Sequence, residues 1–469
     1  MVQCIREITV SNESGKLTVI QKSGYALGIH GIMYFWYATN LYLFYFYTDV
    51  VGLTPAQTGT VFLLSLIWDG ITDPIMGAVV DRLIARGWKY RPMVLIGGIP
   101  FCISFAALFY VPAGVEVFTY CLVANLVFRT FFTLTYIPYT SMLTRITQDS
   151  RERSNIGGYK SIFIGFSKLP VSYFALPLIA VLGAGNEALG FIKTMSLLAV
   201  MGGVAFVGCY LLTPEPASAT PAGRSRAHSL AEVVAYFRAN SQFWVVAAGL
   251  FLASGSFGII MQSVIYYYKY NLNSPDAAKI AFTAIAIGSL VGVPIWMQIL
   301  RIASNRIIWF SGCCLAAGML LTTYVLPEPG VWVFAVLIGF TAAGIFGFIM
   351  TFLPMIADTV DYGQSKSGLR IEAFTFGCVS LINKLSIGTA GWLLGMMQTW
   401  VGFVPNAEQS ATTLQGLKVI ITLVPMLGLV LSAIVILKYR IDAKYHSKLV
   451  DEIQRQRGGP RSGLAQSGL

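Results

Sequence analysis

The chain has 469 residues, of which 56% are hydrophobic and only 11% are charged, a composition that excludes an ordinary water-soluble globular domain. The net charge of +11 does not indicate nucleic-acid binding, because the basic residues lie in short clusters between apolar stretches. The seven cysteines are scattered without a CxxC pair, so we expect them to be small residues of a membrane core rather than metal ligands.

Apolar stretches of about 20 residues, the length that crosses a bilayer as a helix, recur along the chain. The first six lie near 25–47, 55–80, 92–113, 118–143, 157–183 and 189–212. The polar segment 213–241 follows as a predicted cytoplasmic linker, because its Pro, Ala, Ser and Arg content suits neither a membrane nor a core. Six further stretches lie near 242–271, 277–300, 306–326, 331–357, 372–399 and 415–438.

This order predicts an all-α integral membrane protein with twelve transmembrane helices. Two six-helix halves, 25–212 and 242–438, follow an N-terminal segment 1–24 and precede a basic tail 439–469. Two such halves joined by a linker indicate the major facilitator fold, with a substrate site between the halves near mid-membrane.

Basic residues are concentrated in alternate loops, and acidic residues in the others. The positive-inside rule therefore places both termini in the cytoplasm of a multi-pass inner-membrane protein, which we expect to function as a monomer. The basic loops carry Arg82, Arg86, Lys89, Arg91, Arg145, Arg151, Arg153, Arg224, Arg226, Arg301 and Arg306.

Two carboxylates in the second span are the sharpest signal. Asp69 and Asp73 are four residues apart, so both project from one face of a helix. A charge at a helix centre costs about 2.5–3.5 kcal/mol on insertion scales, and two adjacent carboxylates repel unless a cation or proton lies between them. We predict a coupling-ion site here; the alternative is a structural pair bonded to Arg or Lys elsewhere.

Seven sequence blocks resemble the melibiose permease-like glycoside-pentoside-hexuronide:cation symporters, from near residue 24 to near 455 and in the same order. They are YFYTDVVGL, WDGITDP, GWKYRPMVLIG, YIPYTSM, RERSNIGGYK, MIADTVDYGQSKSGLRIEAF and NKLS. The resemblance implies that Asp69 and Asp73 ligate the cation. Two other aspartates of the family pattern fall here on Met33 and Tyr136, which favours a proton over sodium, because a phenol ligates a hard cation less well than a carboxylate.

The resemblance also points to two lysines, one in the fifth span and one in the eleventh. Lys160 matches a family arginine linked to sugar binding, although its position alone indicates a positive-inside residue. Lys384 matches a family lysine, and its ammonium would neutralise the aspartate pair when the cation is absent. Ser380 lies one turn before Lys384, where its hydroxyl would bond the sugar or the cation, or simply pack.

Two cations inside spans, Arg129 and Lys168, each need an acidic partner or an anionic ligand. Together they favour an acidic substrate such as a uronide or a sulfonated sugar. The alternative is a neutral glycoside, with Arg129 paired to an aspartate as structure. Asn40, Tyr136 and Thr140 are the residues we expect to supply hydroxyl partners and an aromatic face.

Two clusters of charged residues at the cytoplasmic ends of helices are candidate gates. In such a gate, ion pairs form in one conformational state and break in another. Solvated loops or static networks are the alternatives. The gate residues are Asp81, Arg82, Asp358, Asp361, Arg370 and Glu372.

The sequence therefore predicts a symporter that moves a sugar or glycoside with Na⁺ or H⁺ by alternating access. It predicts no enzyme, no resident cofactor, and no metal beyond a sodium ion at Asp69 and Asp73. The alternatives are a lysolipid or drug carrier of the same fold and a membrane sugar sensor that transports nothing.

Overall fold

The computed structural model describes residues 17–147, 150–214, 230–369, 371–442, 445–446 and 448–449. Fourteen α-helices and no strand occur in these ranges. The helices are α1 (Val19–Ala38), α2 (Pro55–Ala85), α3 (Tyr90–Ala107), α4 (Val117–Ile146), α5 (Ser150–Leu169), α6 (Ala175–Gly183), α7 (Glu187–Leu212), α8 (Leu230–Ala239), α9 (Ser241–Tyr266), α10 (Ala278–Ile299), α11 (Asn305–Val325), α12 (Val331–Ser367), α13 (Glu372–Trp400) and α14 (Ala411–Ile436).

Short irregular turns extend several helices. π-helical turns at Thr39–Leu43 and Phe46–Val50 prolong α1, another at Pro170–Phe174 joins α5 to α6, and Tyr267–Asn271 prolongs α9. A 3₁₀ turn, Pro275–Ala277, precedes α10. With these turns, each of the twelve predicted spans falls on a helical segment of the described chain.

The helix starts follow from local sequence. Thr18 and Thr54 each accept a bond from the backbone three residues on, and Gln21 and Gln57 bond back to the cap residue. This reciprocal capping box satisfies amides that an α-helix leaves unpaired. Pro55 at the first position of α2 strengthens the second start, since its fixed φ suits a helix and it has no amide to satisfy.

Ten helical segments among the described residues are long and apolar enough to cross a membrane. The first and eleventh predicted spans, on α1 and α13, fall short of that composition. Large apolar side chains point outward, as at Val181 (74% exposed) and Val204 (67%), where a soluble protein would place polar groups. The all-helical, multi-pass architecture is thus confirmed, and the count of twelve spans stays a prediction.

The first half of the bundle comprises α1–α7 and the second comprises α9–α14. The halves meet closely along α2 and α13, where a Cβ on Gly395 would lie 2.1 Å from the Pro55 carbonyl oxygen and one on Gly59 would lie 2.9 Å from the Gly391 carbonyl oxygen. Small residues permit this backbone contact. It holds the acidic face of α2 against the NKLS segment of α13.

The predicted linker 213–241 contains a helix that its composition did not indicate. α8 packs the fully buried ring of Tyr236 against Gly363 of α12, where a Cβ would lie 2.5 Å from the ring. The apolar spacing of LAEVVAYF accounts for this helix. The residues 215–229, most of segment 1–24 and most of tail 439–469 lie outside the described residues.

Candidate functional site

The aspartate pair of α2 meets a hydroxyl of α4. Asp69 is fully buried, whereas the Asp73 side chain is 29% exposed. The Thr133 hydroxyl lies 2.9 Å from one oxygen of Asp69 and 2.8 Å from one oxygen of Asp73. A hydroxyl has one hydrogen, so it donates to only one of these oxygens at a time.

A lysine from the other half of the molecule completes the pair. Lys384 of α13 places Nζ 3.0 Å from Asp69 Oδ2 and also forms an ion pair and hydrogen bond with Asp73. Its ammonium lies over the Phe132 ring, 5.8 Å from the centroid. The ammonium therefore neutralises carboxylates that belong to the first half.

A second cation lies beside the buried aspartate. Arg129 Nη1 of α4 is 3.9 Å from Asp69 Oδ2, and its Nε is buried without a hydrogen-bond partner among the described residues. Asp69 Oδ2 also lacks an aligned hydrogen bond there, although Lys384 is within ion-pair distance. In this conformation the aspartates thus have Arg and Lys partners, as expected if the pair is structural. A coupling-ion site differs from a structural pair in that these ion pairs would break during function.

A cavity of about 330 Å³ lies between the halves. The first half contributes α1 and α5, and the second contributes α9, α10, α12 and α13. Most of the wall is Met, Leu, Ile and aromatic side chains. Its polar residues include Asn40, Lys168, Ser172, Ser254, Ser289 and Asn383.

Lys168 is the one charged residue among the described residues that line this cavity. It is 8% exposed, and Nζ donates to the Ser289 hydroxyl across the halves at 2.6 Å. The rings of Phe346 and Tyr37 lie 4.5 and 5.5 Å from it. The wall therefore presents an ammonium, a hydroxyl and two aromatic faces, with no carboxylate among these described lining residues.

The other predicted substrate residues divide between the cavity and its surroundings. Asn40 lines the cavity, although its amide donates to a carbonyl of α1 at 2.7 Å. Tyr136 stacks on Phe132 beside the aspartate site, and the Thr140 hydroxyl donates to carbonyls of its own helix at 3.0 Å. Lys160 lies over an aromatic ring of α4 outside the cavity wall.

Ser380 is exposed on α13, one turn from Lys384, and does not line the cavity. Arg129 does not line it either, and contacts the aspartate site instead. Of the predicted substrate residues, the structure brings Asn40 and Lys168 to the cavity wall.

Among the candidate gates, Asp358 and Asp361 make contacts within the second half. Asp358 accepts a bond from Tyr439 at 3.0 Å, and His446 lies 3.1 Å from Asp361, so these aspartates tie the chain after α14 to α12. Glu372, at the start of α13, is exposed, as are Asp81 and Arg82 near the end of α2. Arg370 lies outside the described residues.

One charged contact between the halves was not predicted from the sequence. Lys269 Nζ lies 2.8 Å from Asp49 Oδ1 and 2.7 Å from Asn406 Oδ1, and the Tyr270 hydroxyl also donates to Asp49. We call Asp49, Lys269, Tyr270 and Asn406 the latch. Its signal was present: YFYTD ends the first span and YYYKY ends the seventh, so aromatic runs at matching positions of the two halves carry opposite charges.

Comparison with known proteins agrees with this architecture. The family described as "MFS/sugar transport protein" matches residues 24–443. The "Inner membrane symporter YicJ" of Escherichia coli (strain K12) is 25% identical over 94% of this chain and 95% of its own. The "Putative sulfoquinovose importer" of the same organism is 26% identical over 94% and 95%. The crystal structure of the D-xylose-proton symporter shares the fold, with a TM-score of 0.64 at 14% identity, over 91% of this chain and 98% of that one.

Proposed function

The chain belongs to the MFS/sugar transport protein family, in its glycoside-pentoside-hexuronide:cation symporter-like branch, and from this we propose that it imports a sugar or glycoside across the inner membrane together with a cation. It works by alternating access as a monomer, catalyses no reaction and needs no cofactor besides the coupling ion. The observation that carries this proposal is the reach of Lys384 from the second half onto Asp69 and Asp73 of the first.

Lys384 and the coupling cation compete for the same two carboxylates. While Lys384 occupies them, the charges are balanced and the halves are held together at this level of the bundle. When a cation takes its place, Lys384 is released and the halves are free to rearrange. Binding of the cation and binding of the sugar then favour the same conformations, so each strengthens the other reciprocally.

The latch supports an assignment of this conformation. It closes the end of the bundle at which α1 ends and α2 begins. The positive-inside rule predicts that this end lies on the side of the membrane opposite the cytoplasm. The protein is then inward-facing, with Lys384 in the place that the cation has left. Release of the cargo to the cytoplasm precedes this state, and a return to the outward-facing state follows it.

The cavity favours an acidic cargo. A buried ammonium without a carboxylate partner is costly in a membrane protein unless an anion binds it. Lys168 is in that position, whereas Arg129 is occupied beside Asp69. A uronide or sulfonated sugar would place its anionic group on Lys168 and Ser289 and its ring on the aromatic wall; the relative whose name refers to sulfoquinovose is consistent with this class.

Uptake by proteoliposomes tests the proposal. Labelled glucuronate, sulfoquinovose and methyl glucoside would be offered to the purified protein with an inward proton gradient, an inward sodium gradient or neither. We expect gradient-dependent accumulation of an acidic sugar. A protein that binds a sugar without counterflow would instead be a sensor, and competition by lysolipid but by no sugar would indicate a lipid carrier.

A further inference from the structure

The charged cluster around the aspartate pair divides unequally between the halves, and this division limits which cation it takes. Asp69, Asp73, Arg129 and Thr133 all belong to the first half, on α2 and α4. Lys384 alone comes from the second half. The four charged side chains balance in the conformation described, with two negative and two positive groups.

Separation of the halves removes Lys384 and leaves one uncompensated negative charge. Arg129 stays beside Asp69, because both side chains move with the first half, and a guanidinium does not lose its proton in proteins. One monovalent cation restores neutrality, and a second would exceed it. If the proposed symport is correct, one cation therefore binds for each cargo molecule.

The position of Arg129 opposes a metal ion at this place. A sodium ion between the carboxylates would lie near a fixed positive charge and would need a shell of several oxygen ligands, as hard cations do. The described side chains offer the two carboxylates and the Thr133 hydroxyl. Tyr136, which also faces Asp73, contributes a neutral phenol.

A proton needs no such shell, and the hydrogen bonds already present accommodate it. Thr133 is within bonding distance of both carboxylates but has one hydrogen to donate. If Asp73 is protonated, it donates to the Thr133 oxygen while Thr133 donates to Asp69, and both contacts are satisfied. Asp73 is the partly exposed member of the pair, and Asp69 is the one that lies beside Arg129.

We propose that Arg129 is the residue that excludes sodium from the site. The groups facing Asp73 are Asp69 on its own helix, Arg129, Thr133 and Tyr136 on α4, and Lys384 on α13. Among them Arg129 is the ion-selecting residue.

Sodium binding to the purified full-length protein tests this without any transport. Thermal unfolding would be followed in sodium chloride and in choline chloride of equal ionic strength. We expect equal midpoints for wild type and for Arg129→Lys, and a higher midpoint in sodium for Arg129→Asn, which gains an oxygen ligand and loses the charge. Arg129→Asn combined with Asp73→Asn should lose that gain.

A higher unfolding midpoint of wild type in sodium than in choline would overturn the proposal. So would equal midpoints of Arg129→Asn in the two salts. If Arg129→Asn does not fold, Arg129→Gln replaces it. In proteoliposomes with the membrane potential clamped at zero, a gradient of one pH unit should accumulate cargo about tenfold, as one proton per cargo requires. Accumulation by sodium instead would refute the exclusion of sodium while leaving symport intact, whereas accumulation by neither gradient would contradict the proposed symport as well.

Discussion

At the scale of single residues, the cavity lysine is the most informative side chain. Lys168 is nearly enclosed, and its partners are a hydroxyl and aromatic rings. These groups accommodate an ammonium without neutralising it, since a ring face and a hydroxyl carry no full negative charge. The residue therefore remains available to the anionic group of the acidic cargo that we propose.

We expect Lys168→Met to lower uptake of an acidic sugar about tenfold or more, because a hydrogen bond to a charged group contributes about 1.5–3 kcal/mol. Lys168→Arg should retain part of it, and Lys193→Met, which removes an exposed lysine of α7, should retain all of it. The measurement is initial uptake of labelled glucuronate or sulfoquinovose. Unchanged uptake by Lys168→Met would show that the anionic group binds elsewhere.

The sequence could predict some members of the candidate ion site and not others. Asp69 and Asp73 are apparent from their spacing inside an apolar stretch, and Lys384 from a family resemblance. Thr133 could not be identified from the sequence, because nothing distinguishes one threonine from the others in TFFTLTY. Its role depends on the packing of α4 against α2, which no local pattern specifies.

At the scale of helices, the latch joins two π turns, Phe46–Val50 and Tyr267–Asn271, that end the first helix of each half. Asp49 is 6% exposed, so its buried carboxylate is stabilised by Lys269 and by the Tyr270 hydroxyl rather than by water. Removal of one member of a buried ion pair is costly, because the other charge is left without compensation. The latch should therefore bias the population strongly toward closure of this end.

Asp49→Asn should open the latch end more often. A cysteine placed at Ser254 in the cavity would then react several-fold faster with a membrane-impermeant maleimide added from outside. Asp276→Asn, an exposed acid of the same rim, is the matched control and should not change the rate. Equal labelling of Asp49→Asn and the parent protein would contradict the role of the latch.

A second ion pair, outside the membrane, ties the starts of α1 and α5. Glu152 accepts from Lys22 at 2.9 Å and from the Leu17 amide at 3.0 Å, and these bonds, chiefly the one to Lys22, hold the pKa of the Glu152 carboxyl below its usual value. A carboxyl with a lowered pKa in the folded state stabilises the fold above its ordinary pKa, and that contribution is lost as pH falls through the lowered value.

Thermal stability of wild type should accordingly decline as pH drops below about 4.5, by more than that of Glu152→Gln. The amide keeps the shape of the side chain but does not titrate in this range. Midpoints measured between pH 6 and pH 3 on both proteins check this. The difference should be small, because ion pairs near a protein surface contribute about 1 kcal/mol or less. Parallel pH profiles would show that the pair contributes nothing.

Helix positions were largely predictable, because a run of about 20 apolar residues in a bilayer has few alternatives to a helix. The ends were less so. α12 continues ten residues past the predicted 357 to Ser367, since polar residues at a helix end leave the bilayer without ending the helix. α8 was missed because ten residues within a polar linker are too few for a spanning signal.

At the scale of the whole molecule, contacts between the halves specify the conformation. The latch, the α2–α13 contact and the Lys168–Ser289 bond all join one half to the other. The division into halves stays a prediction that rests on the linker. The end at which the latch joins the halves could not be predicted from the sequence, because it depends on pairs such as Asp49 and Lys269, which are separated by 220 residues.

The proposed exchange of Lys384 for a cation at Asp73 would link these contacts to transport. The most direct test of it compares two transport modes of Asp73→Asn in proteoliposomes. Asparagine cannot bind a proton or pair with the ammonium as a carboxylate does. The account predicts that Asp73→Asn still exchanges labelled for unlabelled sugar by counterflow but no longer accumulates it against a gradient, whereas wild type does both. Undiminished uphill accumulation by Asp73→Asn would contradict it.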